Sequence, residues 1–171
     1  IGMVISHEMT HGFDDEGKQF DADGNMINWW TEEDAKNFTE RTKVLVNQYN
    51  NFKVLDSLHV DGELTLGENI ADNGGMNIAW DAFQLSLKGK KRPAAIDGFT
   101  PEQRFFLGYA KVWRQKMRDK ELMRRLKEDV HSPAIARVNR AVFNIDAFYK
   151  AFDIKPTDPL YIAPADRARV W

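Results

Sequence analysis

The chain has 171 residues, 43% of them hydrophobic and 11 Phe and 5 Trp among them, enough to bury one core as a single domain over residues 1–171. Its 24 basic and 26 acidic residues leave a formal charge of -2, which argues against a nucleic acid or other polyanion as partner. There is no cysteine, so neither a disulfide frame nor a thiolate metal site is available, and any metal must rest on His, Asp or Glu.

Clusters of Gly, Asn, Asp and Pro, with little period-2 alternation between them, predict a mainly α fold. A first helix covers about residues 2–12 and runs into the polar turn Asp14-Asp15-Glu16-Gly17. Asp21, Asp23, Asn25 and Glu32 follow a calcium-loop template, but Met26 stands where that template needs glycine, so an ordinary Asp/Gly turn is expected. Thr31 with Asp34 predicts a capped helix to about Asn50, with Ala35, Phe38, Thr42, Leu45 and Tyr49 along one face. His59 falls in the loop beyond it. A third helix runs from about Leu66 or Gly67 to Leu87, and Gly74-Gly75 inside it weakens the helix, which implies a close approach by another backbone or side chain. Lys88-Gly89-Lys90-Lys91-Arg92 beside Pro93 reads as a solvated loop. Thr100-Pro101-Glu102-Gln103 sets an N-cap, a first-position proline and a capping partner in order and predicts a helix to about Arg118. Ser132-Pro133 opens another helix and Asn144 a last short one.

Three clusters carry chemistry. His7-Glu8-Met9-Thr10-His11 is a HExxH motif; positions i and i+4 of a helix project to the same side, so both imidazoles can reach one cation. Glu8, next to the first ligand, can take a proton from an activated water and deliver it to the leaving amine. Glu68 and Asp72 are likewise four apart; alone they read as solvated helix carboxylates, but with His7 and His11 the former completes a His2Glu zinc set. Asp72 can then accept a hydrogen bond from the far nitrogen of a ligand imidazole. Asp129 flanks His131 and biases it toward the protonated form, suited to donate to the oxyanion of a tetrahedral intermediate, unless His131 merely sits in a helix-entry turn. Arg137 can grip a substrate carbonyl or carboxylate.

Residues 4–17 (VISHEMTHGFDDEG), 67–75 (GENIADNGG), 105–113 (FFLGYAKVW) and 129–133 (DVHSP), then Arg137 and the terminal Arg169-Val170-Trp171, strongly resemble the neprilysin and endothelin-converting-enzyme family of zinc metallopeptidases. The likeness extends over essentially the whole chain. It implies a helical, thermolysin-like zincin subdomain acting on short peptides and cutting before bulky hydrophobic residues. It also implies one zinc ion on His7, His11 and Glu68, Glu8 as base, and Asp14 and Asp72 as carboxylates behind the ligands. His131 would stabilise the transition state, oriented by Asp129, and Arg137 would hold the substrate backbone. Met3, Val4, Val112 and Trp113 would line a side-chain pocket; without the resemblance they read equally well as core. Animal members carry cysteines near Val44, Arg114 and Ala168, and their absence implies a bacterial branch.

The family's chain also continues upstream, with an Asn-Ala strand that binds substrate and a helical domain over the cavity. Neither is among these residues, so the chain is read as truncated. It is expected to hold zinc but to cleave little alone, and to self-associate through apolar surface left bare. The family favours an extracytoplasmic place, and a cytoplasmic one stays open. Two other functions compete: a peptide-binding module that kept the fold, against which stand the intact Glu8 and ligands, and an aminopeptidase, which would need an acidic group for the substrate's free amine.

Overall fold

A computed structural model describes all 171 residues, and seven helices carry most of the chain. In chain order α1 is Gly2–Thr10, α2 Glu32–Asn50, α3 Leu66–Leu87, α4 Pro101–Val112, α5 Asp119–Glu128, α6 Ala134–Ala141 and α7 Asp146–Phe152. A short antiparallel hairpin, β1 (Lys53–Leu55) and β2 (Leu58–His59), joins α2 to α3. No helix is long and apolar enough to cross a membrane.

Helix α3 is the axis of the molecule. Every residue from Asn69 to Met76 is buried, so the helix is enclosed on all sides instead of showing a single apolar stripe. It divides two apolar clusters. One gathers Phe38, Leu45 and Tyr49 of α2 around Ile70 and the C-terminal Val170; the other gathers Phe106, Tyr109, Phe143 and Tyr149 around Met76. The buried face of α2 is the one its sequence predicts, apart from a half-buried Ala35. Thr31 caps α2 by accepting from the Asp34 N–H at 3.1 Å, and Thr100 and Gln103 form the full reciprocal capping box on α4.

Helix α1 lies against α3 with its polar residues inward. Ser6, His7 and Thr10 are buried, while Val4, Ile5 and Met9 are 46%, 56% and 64% exposed. The close approach expected at Gly74-Gly75 is made by this helix: a Cβ on Gly74 would stand 2.7 Å from Thr10 Cγ2, and one on Gly75 2.7 Å from His7 N.

Several boundaries differ from expectation. Helix α4 stops at Val112, not near Arg118, because Trp113 turns its ring beneath the Arg137 guanidinium, 4.1 Å away. Helix α5 was not expected; none of its residues is buried, and Glu121 bridges Arg124 and Arg125 along its surface. Asn144 closes a tight turn ahead of α7 and does not start it. His59 lies in β2, its Nδ1 3.0 Å from Asn50 O. Asp21 accepts from the N–H groups of Asp23 and Asn25, the ordinary turn read from the sequence.

Candidate metal centre

The inward polar face of α1 sets two imidazoles side by side. The Nε2 atoms of His7 and His11 are 3.1 Å apart, with the rings at 88° to one another. Glu68, in the first turn of α3, faces both: Oε2 is 3.3 Å from His7 Nε2 and Oε1 3.4 Å from His11 Nε2. These ligand atoms all lie within 4.8 Å of one another, and they come from the residues that the spacing singled out.

Each ring is held from behind by a carboxylate. Asp14 Oδ2 is 2.7 Å from His11 Nδ1, and Asp14 Oδ1 accepts from the N–H groups of Glu16 and Gly17, which pins it. Asp72 Oδ1 is 3.0 Å from His7 Nδ1, within ion-pair reach without a hydrogen bond between them. A carboxylate at Nδ1 draws the ring proton there and leaves the lone pair on Nε2. Two bare nitrogens and a carboxylate then converge on one point, an arrangement that repels itself unless a cation stands between. Zinc bonds of about 2.0–2.1 Å put tetrahedral ligands roughly 3.3 Å apart, and the observed 3.1–3.4 Å separations fit that ion.

Burial opposes charge on His7, but contacts with Asp72 and Glu68 outweigh it and carry its pKa up to about 9. Burial likewise opposes ionisation of Glu68, and His7, His131 and Arg137 together hold its pKa below the ordinary carboxylate value.

The third sequence cluster closes the site from the loop before α6. His131 Nε2 is 3.2 Å from Glu68 Oε1, and its Nδ1 is 2.8 Å from Asp129 Oδ1, which also accepts the His131 backbone N–H. Arg137 is buried and ties the centre together: Nη2 reaches Glu68 at 3.2 Å, and the guanidinium meets both oxygens of Asp72. Glu8 is exposed, its carboxylate outside these pairings.

Beside His131 opens a cavity of about 510 Å³ walled by Trp113, Met117, Leu122, Arg125, Ile135 and Arg137. Of the four residues expected to line a side-chain pocket, only Trp113 is there. Val4 and Val112 are exposed and Met3 packs against the second apolar cluster. Sequence reasoning missed the buried pair that fixes the His131 loop to α3, in which Ser132 Oγ donates to Asn69 Oδ1 at 2.8 Å. Asn69 is held in turn by Thr65. The one signal was its place beside Glu68.

The model of peptidase family M13 matches residues 1–168. The chain belongs to peptidase family M13. This is a family of zinc metalloendopeptidases, and the likeness to neprilysin is direct: human neprilysin is 41% identical over the whole of this chain, which spans 23% of neprilysin. Among solved structures, a zinc metalloprotease of Mycobacterium tuberculosis in complex with an inhibitor superposes with a TM-score of 0.93 at 48% identity, over 98% of this chain and 26% of that one. PepO from Lactobacillus rhamnosis gives 0.82 at 38% identity, over 97% and 25%. This chain therefore spans about a quarter of the length of these M13 relatives.

Proposed function

We propose that this chain carries the zinc-binding and catalytic residues of an endopeptidase that hydrolyses short peptides on the amino side of hydrophobic residues. The observation that carries the reading is the convergence of His7 Nε2, His11 Nε2 and Glu68 on one point, each imidazole held by a carboxylate at its other nitrogen. A zinc ion bound there would supply Lewis-acid activation of water and of the scissile carbonyl.

The chain's own residues divide the remaining work. Glu8, exposed and one residue from His7, accepts the proton of the attacking water and passes it to the departing amine. His131, oriented through Nδ1 by Asp129, turns Nε2 toward Glu68 and can donate to the oxyanion of the tetrahedral intermediate. Arg137 makes no hydrogen bond through Nη1, which is the nitrogen left to hold a substrate carbonyl. Trp113, Met117, Leu122 and Ile135 give the cavity one apolar side, opposite polar groups that include Gln115 and Arg125, and that side suits a bulky apolar side chain. With Glu8 exposed and His131 half exposed, water is poorly excluded, so the 171-residue chain alone is expected to hold zinc yet cleave slowly.

The test is metal analysis of the purified chain, with cleavage of a fluorogenic peptide that has a hydrophobic residue after the scissile bond, measured beside a longer natural chain containing these residues. Zinc near one ion per chain and cleavage before the hydrophobic residue by the longer chain are expected. Cleavage elsewhere would overturn the specificity, and equal specific activity of the two chains would overturn the expectation for the short one.

A further inference from the structure

Glu68, Asp72 and Gly75 stand at i, i+4 and i+7 on α3 and share one face of that helix. The first two meet His7 through their side chains. Gly75 meets it through the main chain, since a Cβ built there would stand 2.7 Å from His7 N, 2.9 Å from Cα and 3.2 Å from Cβ. Its neighbour Gly74 faces a different kind of obstacle. A Cβ on Gly74 would meet Thr10 Cγ2 at 2.7 Å and Oγ1 at 3.0 Å, both side-chain atoms.

The distinction decides what each glycine does. Ordinary contact begins near 3.4 Å, so a methyl group on Gly75 would force α1 and α3 apart by about 0.7 Å, and no rotamer change relieves a clash with backbone. Metal–ligand distances keep within about 0.2 Å of their usual values. The forced opening exceeds that by a wide margin, and it acts between the helix bearing His7 and His11 and the helix bearing Glu68.

We infer that Gly75 is a positioning residue that sets the separation of the two ligand-bearing helices, and thereby the geometry of the metal site. The inference rests on the assignment of His7, His11 and Glu68 as ligands. It gives the glycine a purpose that helix propensity opposes, since glycine inside a helix costs roughly 0.5–1 kcal/mol relative to alanine.

The test compares Gly75→Ala, Gly74→Ala and Gly74→Ala with Thr10→Ala, all in the full chain, for zinc affinity by chelator competition and for the visible spectrum of the cobalt-substituted protein. Metal-free variants are checked for helical circular dichroism. Gly75→Ala is expected to lose roughly 10- to 100-fold in zinc affinity, the scale seen when support for a ligand is removed, and to shift the cobalt spectrum. Gly74→Ala should show a smaller loss that Thr10→Ala restores, because the obstructing atoms have gone. Gly75→Ala with unchanged affinity and spectrum would overturn the inference. Where metal-free Gly75→Ala does not fold, zinc or cobalt is added during refolding: recovery of helical dichroism with an unshifted cobalt spectrum overturns the inference, and failure to recover or a shifted spectrum supports it. Failure of the unsubstituted chain to bind zinc would instead overturn the ligand assignment beneath it.

Discussion

Arg137 donates through Nε and Nη2 to the two oxygens of Asp72, at 2.7 and 2.8 Å, in a setting that leaves Asp72 wholly buried. A buried carboxylate is tolerable only with such a partner, and removing one member of a buried pair typically costs about 3–5 kcal/mol. Arg137→Ala should therefore destabilise the metal-free protein by that order, measured by denaturant unfolding. A loss under about 1 kcal/mol, the scale of an exposed ion pair, would mean that solvent reaches Asp72 freely.

Replacing Glu8 by Gln should leave zinc bound and abolish peptide hydrolysis in the longer enzyme. The amide cannot accept the proton, and the exposed side chain bears no structural duty. Near-normal turnover with zinc in place would remove Glu8 from the chemistry.

The carboxylate behind the ligand and the imidazole over the site should fail differently. Asp72→Asn is expected to weaken zinc or activity by roughly 10- to 100-fold, whereas His131→Ala should cost roughly 100- to 1,000-fold in kcat with zinc retained. Equal zinc loss in the two variants would make His131 a metal or structural residue.

Zinc binding should depend on pH through His7, whose pKa is raised from 6.5 to about 9 when no metal is present. Below that value the metal must displace a proton, so apparent affinity should rise about tenfold per pH unit toward pH 9, then level. The same group contributes to the stability of the metal-free protein fully below pH 6.5, and that contribution is lost as pH rises through about 9. Chelator competition from pH 6 to 9 checks the first statement; a flat profile would mean that His7 is already neutral.

Val4, Ile5 and Met9 on α1 are exposed apolar side chains on either side of the exposed Glu8. The 171-residue chain should self-associate in a concentration-dependent way, read by light scattering, and Ile5→Lys with Met9→Lys should shift it toward monomer. Unchanged association in that variant would place the contact elsewhere.

Much of the site was legible because its key relations are local. His7 with His11, Glu68 with Asp72 and Asp129 with His131 are each written within one helical turn or a short loop, where spacing fixes geometry. The partnership of Arg137 with Asp72 joins residues far apart in the chain, so the sequence offered a substrate role while the fold engages most of the guanidinium internally. The same reason hid Ser132 with Asn69. Helix α4 ends early where Trp113 lies beneath Arg137, a tertiary contact that a capping signal cannot report. Helix α5 escaped notice because charge, not an apolar stripe, dominates it. The tail was similarly opaque: Asn144 accepts the Ala168 N–H and the Gln48 amide, holding an extended segment that has no periodic pattern.

The order of the metal-binding residues along the chain has a consequence for synthesis. His7 and His11 precede Glu68 in the chain, with α2 and the hairpin between them, and Arg137 comes later still. Until Glu68 has been made, the two imidazoles lack the carboxylate that completes the His2Glu set and cannot hold a metal ion as the closed set would. On the proposed ligand assignment, durable capture should wait until α3 has docked on α1, so that the assembled helix pair, not the motif itself, governs metal loading.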